Sequence, residues 1–380
     1  MPARNQRLYR NKEFYYTSSM KLTQMKLTHL IFVLNFVCSS LCANQSSEFN
    51  PQAKNTIPID LESMAQEFVL AAKKIEIPGF PYALNPSIIR WGDFILMSFR
   101  IIPDPKHSFT SYLGIIWLDQ DFQPISNPQI LNTRDVDSSI PSRAEDGRLI
   151  SVGDRLYFVY SDNTDPKISK GGFRLFCAEL HFDGKKFILQ NVDRLSQFEG
   201  ETKNLREKNW VPFDYNDRLL LAYSLTPHRI FHPILGTGSC ETVAISHGST
   251  QWNWGELRGG TPGLLDNGEY LAFFHSSKNI ATIQSEGKMI SHYFMGAYTF
   301  DARPPFALTR ISPEPIIGEE FYSKTDYKPY WKPIKAIFPC GFVFDEQYVW
   351  LAYGKDDHEV WVAKLDKVKL LKSLVPVSSR

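Results

Sequence analysis

Cysteine is scarce, with five in 380 residues. No CxxC pair and no Cys/His grouping at zinc-ligand spacing occurs, so neither a disulfide framework nor a structural zinc module is expected. Cys38 and Cys42 fall in an N-terminal apolar stretch, which leaves Cys177, Cys240 and Cys340 for the remainder. One-sided charge is also missing. Forty-two basic residues face 41 acidic ones, for a formal net charge of +1, and no global field favours nucleic acid or an acidic membrane. After residue 43 no apolar run is long enough for a membrane span. A glycine-rich nucleotide cradle is absent as well. GTGSC has no P-loop lysine, and RGGTP does not join a strand to a helix. No cofactor, metal or nucleic-acid partner is therefore expected.

What is present begins near Met25, where MKLTHLIFVLNFVCSSLCANQ places a lysine, a short apolar run and then small residues. This pattern predicts a secretory signal and an exported protein, periplasmic or secreted. Residues 1–43 are read as extension and signal, residues 44–79 as a linker and helix, and residues 80–380 as one β-domain. The helix is expected over residues 60–74, where Leu61, Met64, Ala65, Phe68 and Ala72 share a face at helical spacing. Beyond it, aromatic and β-branched runs alternate with Gly, Asn and Asp turns.

Those turns reveal a repeat. NPSIIRWGDFILMSF, EDGRLISVGDRLYFVYS, KNWVPFDYNDRLLLAYS, RGGTPGLLDNGEYLAFFHS and FPCGFVFDEQYVWLAYG each run from a short motif through apolar residues and a turn into an aromatic strand. About four short strands fit each unit. The expected fold is all-β, a five-bladed β-propeller with a short N-terminal helix; a β-sandwich or two β-domains compete. The polar motifs recur at similar phase. Asn85 and Asp146 precede their turns by seven residues, Lys208 by eight and Arg258 by nine. In a propeller such positions share one mouth of the central channel, and an acid among several bases there suits an anionic or polyhydroxyl ligand.

The ordered motifs resemble glycoside hydrolase family 130, the five-bladed propellers that include β-mannoside phosphorylases, β-mannosidases and related β-1,2-mannosyltransferases. The family's Glu-Asp-Pro-Arg motif is similar to Glu145-Asp146-Gly147-Arg148, and its Lys-Asp motif to Lys208-Asn209. RGGTPGLLDNGEYLAFFH, ending at His275, YFMGAYTFD, FPCG and YGKDD, ending at Asp357, follow in family order. The chain departs at Gly147, where the family has proline, and at Asn209, where it has aspartate. The third-blade His-Arg-Pro is replaced by Tyr223-Ser224-Leu225, with His228-Arg229 just beyond.

The resemblance implies cleavage or transfer of β-mannosides or related oligosaccharides. It makes Asp146 the general acid and inorganic phosphate, water or an acceptor sugar the nucleophile. It implies substrate or phosphate contacts from Glu145, Arg148, Lys208, Asn209, His228, Arg258, His275 and Asp357. Asp357 could equally cap a turn, and Glu199 or Glu201 could supply a base for hydrolysis. A non-catalytic carbohydrate-binding propeller is the reading from a different class, and an interaction scaffold a third. The oligomeric state is open.

Overall fold

The computed structural model describes residues 58–104, 110–133, 142–163, 172–201, 206–323, 325, 331 and 333–379. The signal-like segment and most of the polar linker lie outside those residues. No helix among the described residues is long and apolar enough to cross a membrane.

The architecture is all-β. After β1 (Val69–Ile75), sheet I comprises β2 (Leu84–Trp91), β3 (Phe94–Ile101), β4 (Tyr112–Leu118) and β5 (Gln129–Ile130). Sheet II holds β6 (Glu145–Val152), β7 (Arg155–Asn163), β8 (Phe173–Phe182) and β9 (Phe187–Leu195). Sheet III holds β10 (Val211–Asp214), β11 (Leu219–Leu225), β12 (His228–Ile234) and β13 (Ser239–Ser246). The short β14 (Gly248–Ser249) precedes sheet IV, built from β15 (Arg258–Gly259), β16 (Leu264–Asp266), β17 (Glu269–Ile280), β18 (Ile290–Asp301) and β19 (Leu308–Ile311). Sheet V is β20 (Lys335–Phe344), β21 (Tyr348–Lys355) and β22 (Glu359–Asp366), with β1 on its outer edge. A two-residue parallel pairing, His292 with Lys335 and Tyr293 with Ala336, joins sheets IV and V. Helix α1 (Lys367–Ser373), capped by the Asp366 carboxylate, is followed by β23 (Val375–Pro376) and β24 (Ser378–Ser379).

The first hairpin turns fall where the sequence marks them. Gly92, Gly153, Asn216 and Asn267 all adopt positive φ, between 49° and 58°, the backbone that Gly and Asn accept at least cost. Among the described residues the core divides into five apolar clusters, one between each pair of neighbouring sheets. Strand β17 shows how alternation feeds two of them. Leu271 and Phe273 pack toward sheet V, while Tyr270, Ala272 and Phe274 pack toward sheet III. Leu96 and Leu149 meet between sheets I and II, and Val159 and Leu221 between II and III. Met97 and Val362 meet between I and V, so the last sheet returns to the first.

Polar contacts between first strands follow the same cyclic order. Leu149 N donates to Ser87 Oγ at 3.1 Å, Arg148 Nη2 to Asn209 Oδ1 at 3.1 Å and Gly263 N to Pro212 O at 2.9 Å. In sheet V, Gly341 lies against Ser87 and Ile88, leaving no room for a side chain.

The helix expected over residues 60–74 does not form. A single 3-10 turn spans Glu62–Met64, and Val69–Ile75 is strand β1, antiparallel to β22 with Val69 opposite Leu365 and Ile75 opposite Val360. The unpaired edge of β22 offers a ladder of backbone hydrogen bonds, and that non-local pairing outweighs the helix preference of Ala and Lys. Leu61 and Phe68 still reach the core between sheets IV and V.

Candidate active site

A cavity of about 730 Å³ opens where the first strands of the sheets begin. Asn85, Asp146 and Asn209 line it. Each stands seven residues before its turn, at Gly92, Gly153 and Asn216 respectively. All three have left-handed backbones, with φ of 50°, 53° and 64°. Asn and Asp tolerate that conformation better than other side-chain-bearing residues. Bulges follow at once in β2, between Leu84 and Ser87, and in β6, between Glu145 and Arg148. A bulge re-aims side chains that plain alternation would place elsewhere. Gly354 makes room for this layout, because a Cβ there would strike the Asn85 amide.

Asp146 is buried, and its Oδ1 accepts a hydrogen bond from Asn85 Nδ2 at 2.8 Å. Arg100, near the end of β3, bridges two carboxylates. Its Nη2 lies 2.8 Å from Glu145 Oε1 and its Nη1 3.5 Å from Asp146 Oδ1. Burial opposes the Arg100 charge, but Glu145, Asp146 and Asp357 outweigh it and raise the pKa. Burial likewise pushes the Asp146 carboxyl upward. The charges of Arg100 and Lys208, the Asn85 hydrogen bond and the Arg148 charge overcome that push and hold its pKa below the usual value. Glu145 Oε2 pairs with Lys208 Nζ, which also sits 3.8 Å from the centroid of the Phe173 ring.

Asp357 lines the same cavity and keeps partial solvent access through it. Enclosure by protein raises its pKa to about 6. Arg100 pulls downward, while the charges of Asp146, Asp356 and Glu145 push further up. His275 is buried, and its Nδ1–H donates to Gly259 O at 2.9 Å, which leaves Nε2 as an acceptor. Its pKa falls to about 3, chiefly through burial and then the Arg148 charge, so the ring is neutral. Arg258 stands at the rim, paired with Glu256 Oε2 at 2.8 Å, and both side chains are well exposed.

The structure therefore brings together Glu145, Asp146, Lys208, Asn209, Arg258, His275 and Asp357. Two expected contacts are placed elsewhere. Arg148 is wholly buried beneath the cavity. Its guanidinium donates to the Asp146 carbonyl at 2.9 Å, to Asn209 Oδ1 at 3.1 Å and to the Gly260 carbonyl. His228 is buried between sheets III and IV, where Nδ1–H donates to Phe306 O at 2.7 Å and the ring packs on Phe300. Burial lowers its pKa to about 4. Neither base suggested for hydrolysis lines the cavity. Glu201 pairs with Arg174 at 2.7 Å, and Glu199 accepts from Thr242 Oγ1 at 3.0 Å.

Sequence reasoning missed Arg100, Arg206, Glu207 and Tyr223 as lining residues, and noted Asn85 only for its phase. A signal existed for Arg100, a lone charge in the apolar run FILMSFRI. Trp210 packs in the core, with its indole N–H donating to Glu207 Oε2 at 3.1 Å.

No family model matches the chain. No curated protein matches it in sequence. Solved structures do match in fold. A β-1,2-mannobiose phosphorylase from Listeria innocua aligns with a TM-score of 0.51 at 13% identity, over 84% of this chain and 97% of that one. A member of the GH130 family of mannoside phosphorylases, described as containing glycoside hydrolases that target β-1,2-mannosidic linkages in Candida mannan, aligns at 0.53 and 14% identity, over 87% and 95%. A GDP-Man-dependent mannosyltransferase from Leishmania mexicana aligns at 0.52 and 12% identity, over 79% and 91%. The chain thus has a glycoside hydrolase family 130-like fold.

Proposed function

Starting from that fold, we propose that the chain is an exported carbohydrate-active enzyme that cleaves or transfers β-mannosides or related oligosaccharides. Its five sheets act as the blades of a propeller. Support for that architecture comes from the five apolar clusters and the cyclic order of first-strand contacts, which return from sheet V to sheet I. The observation that carries the function is Asp146. Its carboxylate is buried at the cavity, fixed by Asn85 and Arg100, and surrounded by residues able to hold sugar hydroxyls.

In this reading Asp146 protonates the departing glycosidic oxygen as a nucleophile attacks the anomeric carbon from the opposite face. With its pKa held below the usual value Asp146 is ionised at neutral pH, so the donor form has to be built. A bound sugar displaces water, and loss of water favours the neutral acid. Asp357 and Asn209 are placed to receive sugar hydroxyls, and neutral His275 offers Nε2 as an acceptor.

Product analysis of manno-oligosaccharides, incubated with and without orthophosphate, tests this. The expected result is a shorter saccharide or a transfer product from the native protein and none from the Asp146→Asn variant. Saccharide binding that survives in Asp146→Asn, with no product from either protein, would establish the non-catalytic reading instead.

A further inference from the structure

We propose that Glu207 is a second catalytic residue, the base that takes a proton from a neutral hydroxyl nucleophile, water or a sugar hydroxyl, in this cavity. The inference rests on the reading of Asp146 as the acid and adds the identity of the nucleophile. Glu207 lines the cavity yet is only 3% exposed. Its backbone N–H donates to Phe173 O at 3.1 Å. Its Oε2 accepts the Trp210 indole N–H, and that indole is wedged edge-on against Phe198 and Tyr223. The other oxygen, Oε1, is buried and has no hydrogen-bond partner among the described residues. One carboxylate oxygen is thus anchored by a rigid ring while its twin awaits a donor. A buried acceptor left unmatched is destabilising, and an attacking O–H would satisfy it.

Charge in the cavity points the same way. A phosphate nucleophile needs cations to spare. Arg100 is shared by Glu145 and Asp146, Lys208 pairs with Glu145, and Arg258 with Glu256. His275 is neutral, and Arg148 lies below the cavity, bonded to backbone and Asn209 oxygens. Among the described residues the lining carries five carboxylates, Glu145, Asp146, Glu207, Glu256 and Asp357, against the four cations Arg100, Arg206, Lys208 and Arg258. That balance disfavours an incoming dianion and suits an uncharged nucleophile whose proton must be removed. Burial raises the Glu207 pKa, against the Trp210 hydrogen bond and the Arg174 charge, and so strengthens it as a base.

The step balances. The bond from the anomeric carbon to the leaving oxygen breaks, and that oxygen takes the Asp146 proton. A bond to the hydroxyl oxygen forms, and its proton passes to Glu207. Inverting hydrolysis needs two carboxylates in these roles.

The test compares native, Asp146→Asn, Glu207→Gln and Glu207→Ala proteins on an aryl β-mannoside, with and without orthophosphate and with and without azide. The expected result is phosphate-independent turnover by the native protein. Glu207→Gln should lose about 100-fold or more in kcat with KM little changed. In Glu207→Ala, azide, which carries no proton to remove, should restore aryl release and yield a mannosyl azide. A merely structural glutamate would not give that rescue. If Asp146→Asn is inactive but Glu207→Gln keeps native kcat, the base is overturned alone. Phosphate-dependent release of a sugar 1-phosphate also overturns it while leaving the enzyme reading intact. Failure of every protein on every mannoside overturns both.

Discussion

Arg100 holds the charges of the cavity together. Replacing it with Met leaves Glu145 and Asp146 as buried carboxylates without their shared partner. The expected loss is about 3–5 kcal/mol at pH 7, measured by urea unfolding. The loss should shrink in acid, as protonation of Asp146 removes an unpaired charge. Asp357 behaves oppositely. Its folded pKa, about 6, lies above the value of 3.8 expected in an unfolded chain, so the native state binds its proton more tightly. Its ionised form therefore costs stability above about pH 6, and that cost fades as pH falls toward 3.8. Asp357→Asn is expected to raise stability at pH 7 by about 1–3 kcal/mol, to leave it unchanged near pH 3.5 and to impair turnover. Thermal unfolding at the two pH values checks the first two statements. The residues at seven-residue phase were legible in the sequence because turns and left-handed positions select Gly, Asn and Asp. Arg148 was not. In an unbroken strand it would share a face with Asp146, but the intervening bulge changes the register and its guanidinium ends beneath the cavity. Glu207 left no periodic mark, since its role depends on Trp210 and Phe173 meeting it in space.

Single elements carry two further expectations. Gly354, in β21, gives way to the Asn85 amide. Gly354→Ala should displace Asn85 and break its hydrogen bond to Asp146, lowering both stability and activity. Adding Asn85→Ala should restore stability but not activity, a non-additive pair that a double-mutant cycle would reveal. Strand β1 covers the edge of β22. Removing residues 58–75 exposes that edge along with the core beneath Leu61 and Phe68. Lower melting temperature and concentration-dependent aggregation are expected, and light scattering on heating reports both. This strand was read as a helix because its local spacing fits one. The partner that decides the matter, β22, lies nearly 300 residues away and has no local signature. The five first hairpins were legible for the opposite reason, since each is specified within some 17 residues by its own turn and its alternation.

At the scale of the whole molecule, buried neutral histidines, among them His228 and His275, tie stability to pH. His228 and His275 have folded pKa values of about 4 and about 3, below the usual 6.5. The unfolded chain takes up protons below pH 6.5 that the native chain refuses. Their contribution is complete above that pH and drains as pH falls, by on the order of 1–2 kcal/mol each down to pH 5. Urea unfolding at pH 7.5 and 5 should show the decline, and His228→Gln should reduce it. Closure has a related consequence. Each sheet shares its core with two neighbours, and Met97 and Val362 close the cycle, so the described β-domain should unfold in one cooperative step. The cavity at the start of the first strands depends on that closure, because Asn85, Asp146, Asn209, His275 and Asp357 lie in, or within two residues of, strands of all five sheets. The proposed function rests on acid-assisted cleavage of a glycosidic bond in this shared cavity. Its most direct test is the turnover of a manno-oligosaccharide by Asp146→Asn, with folding verified by melting temperature. A native-like fold with turnover reduced by about 100-fold or more is predicted, whereas a folded variant with native turnover would contradict the claim.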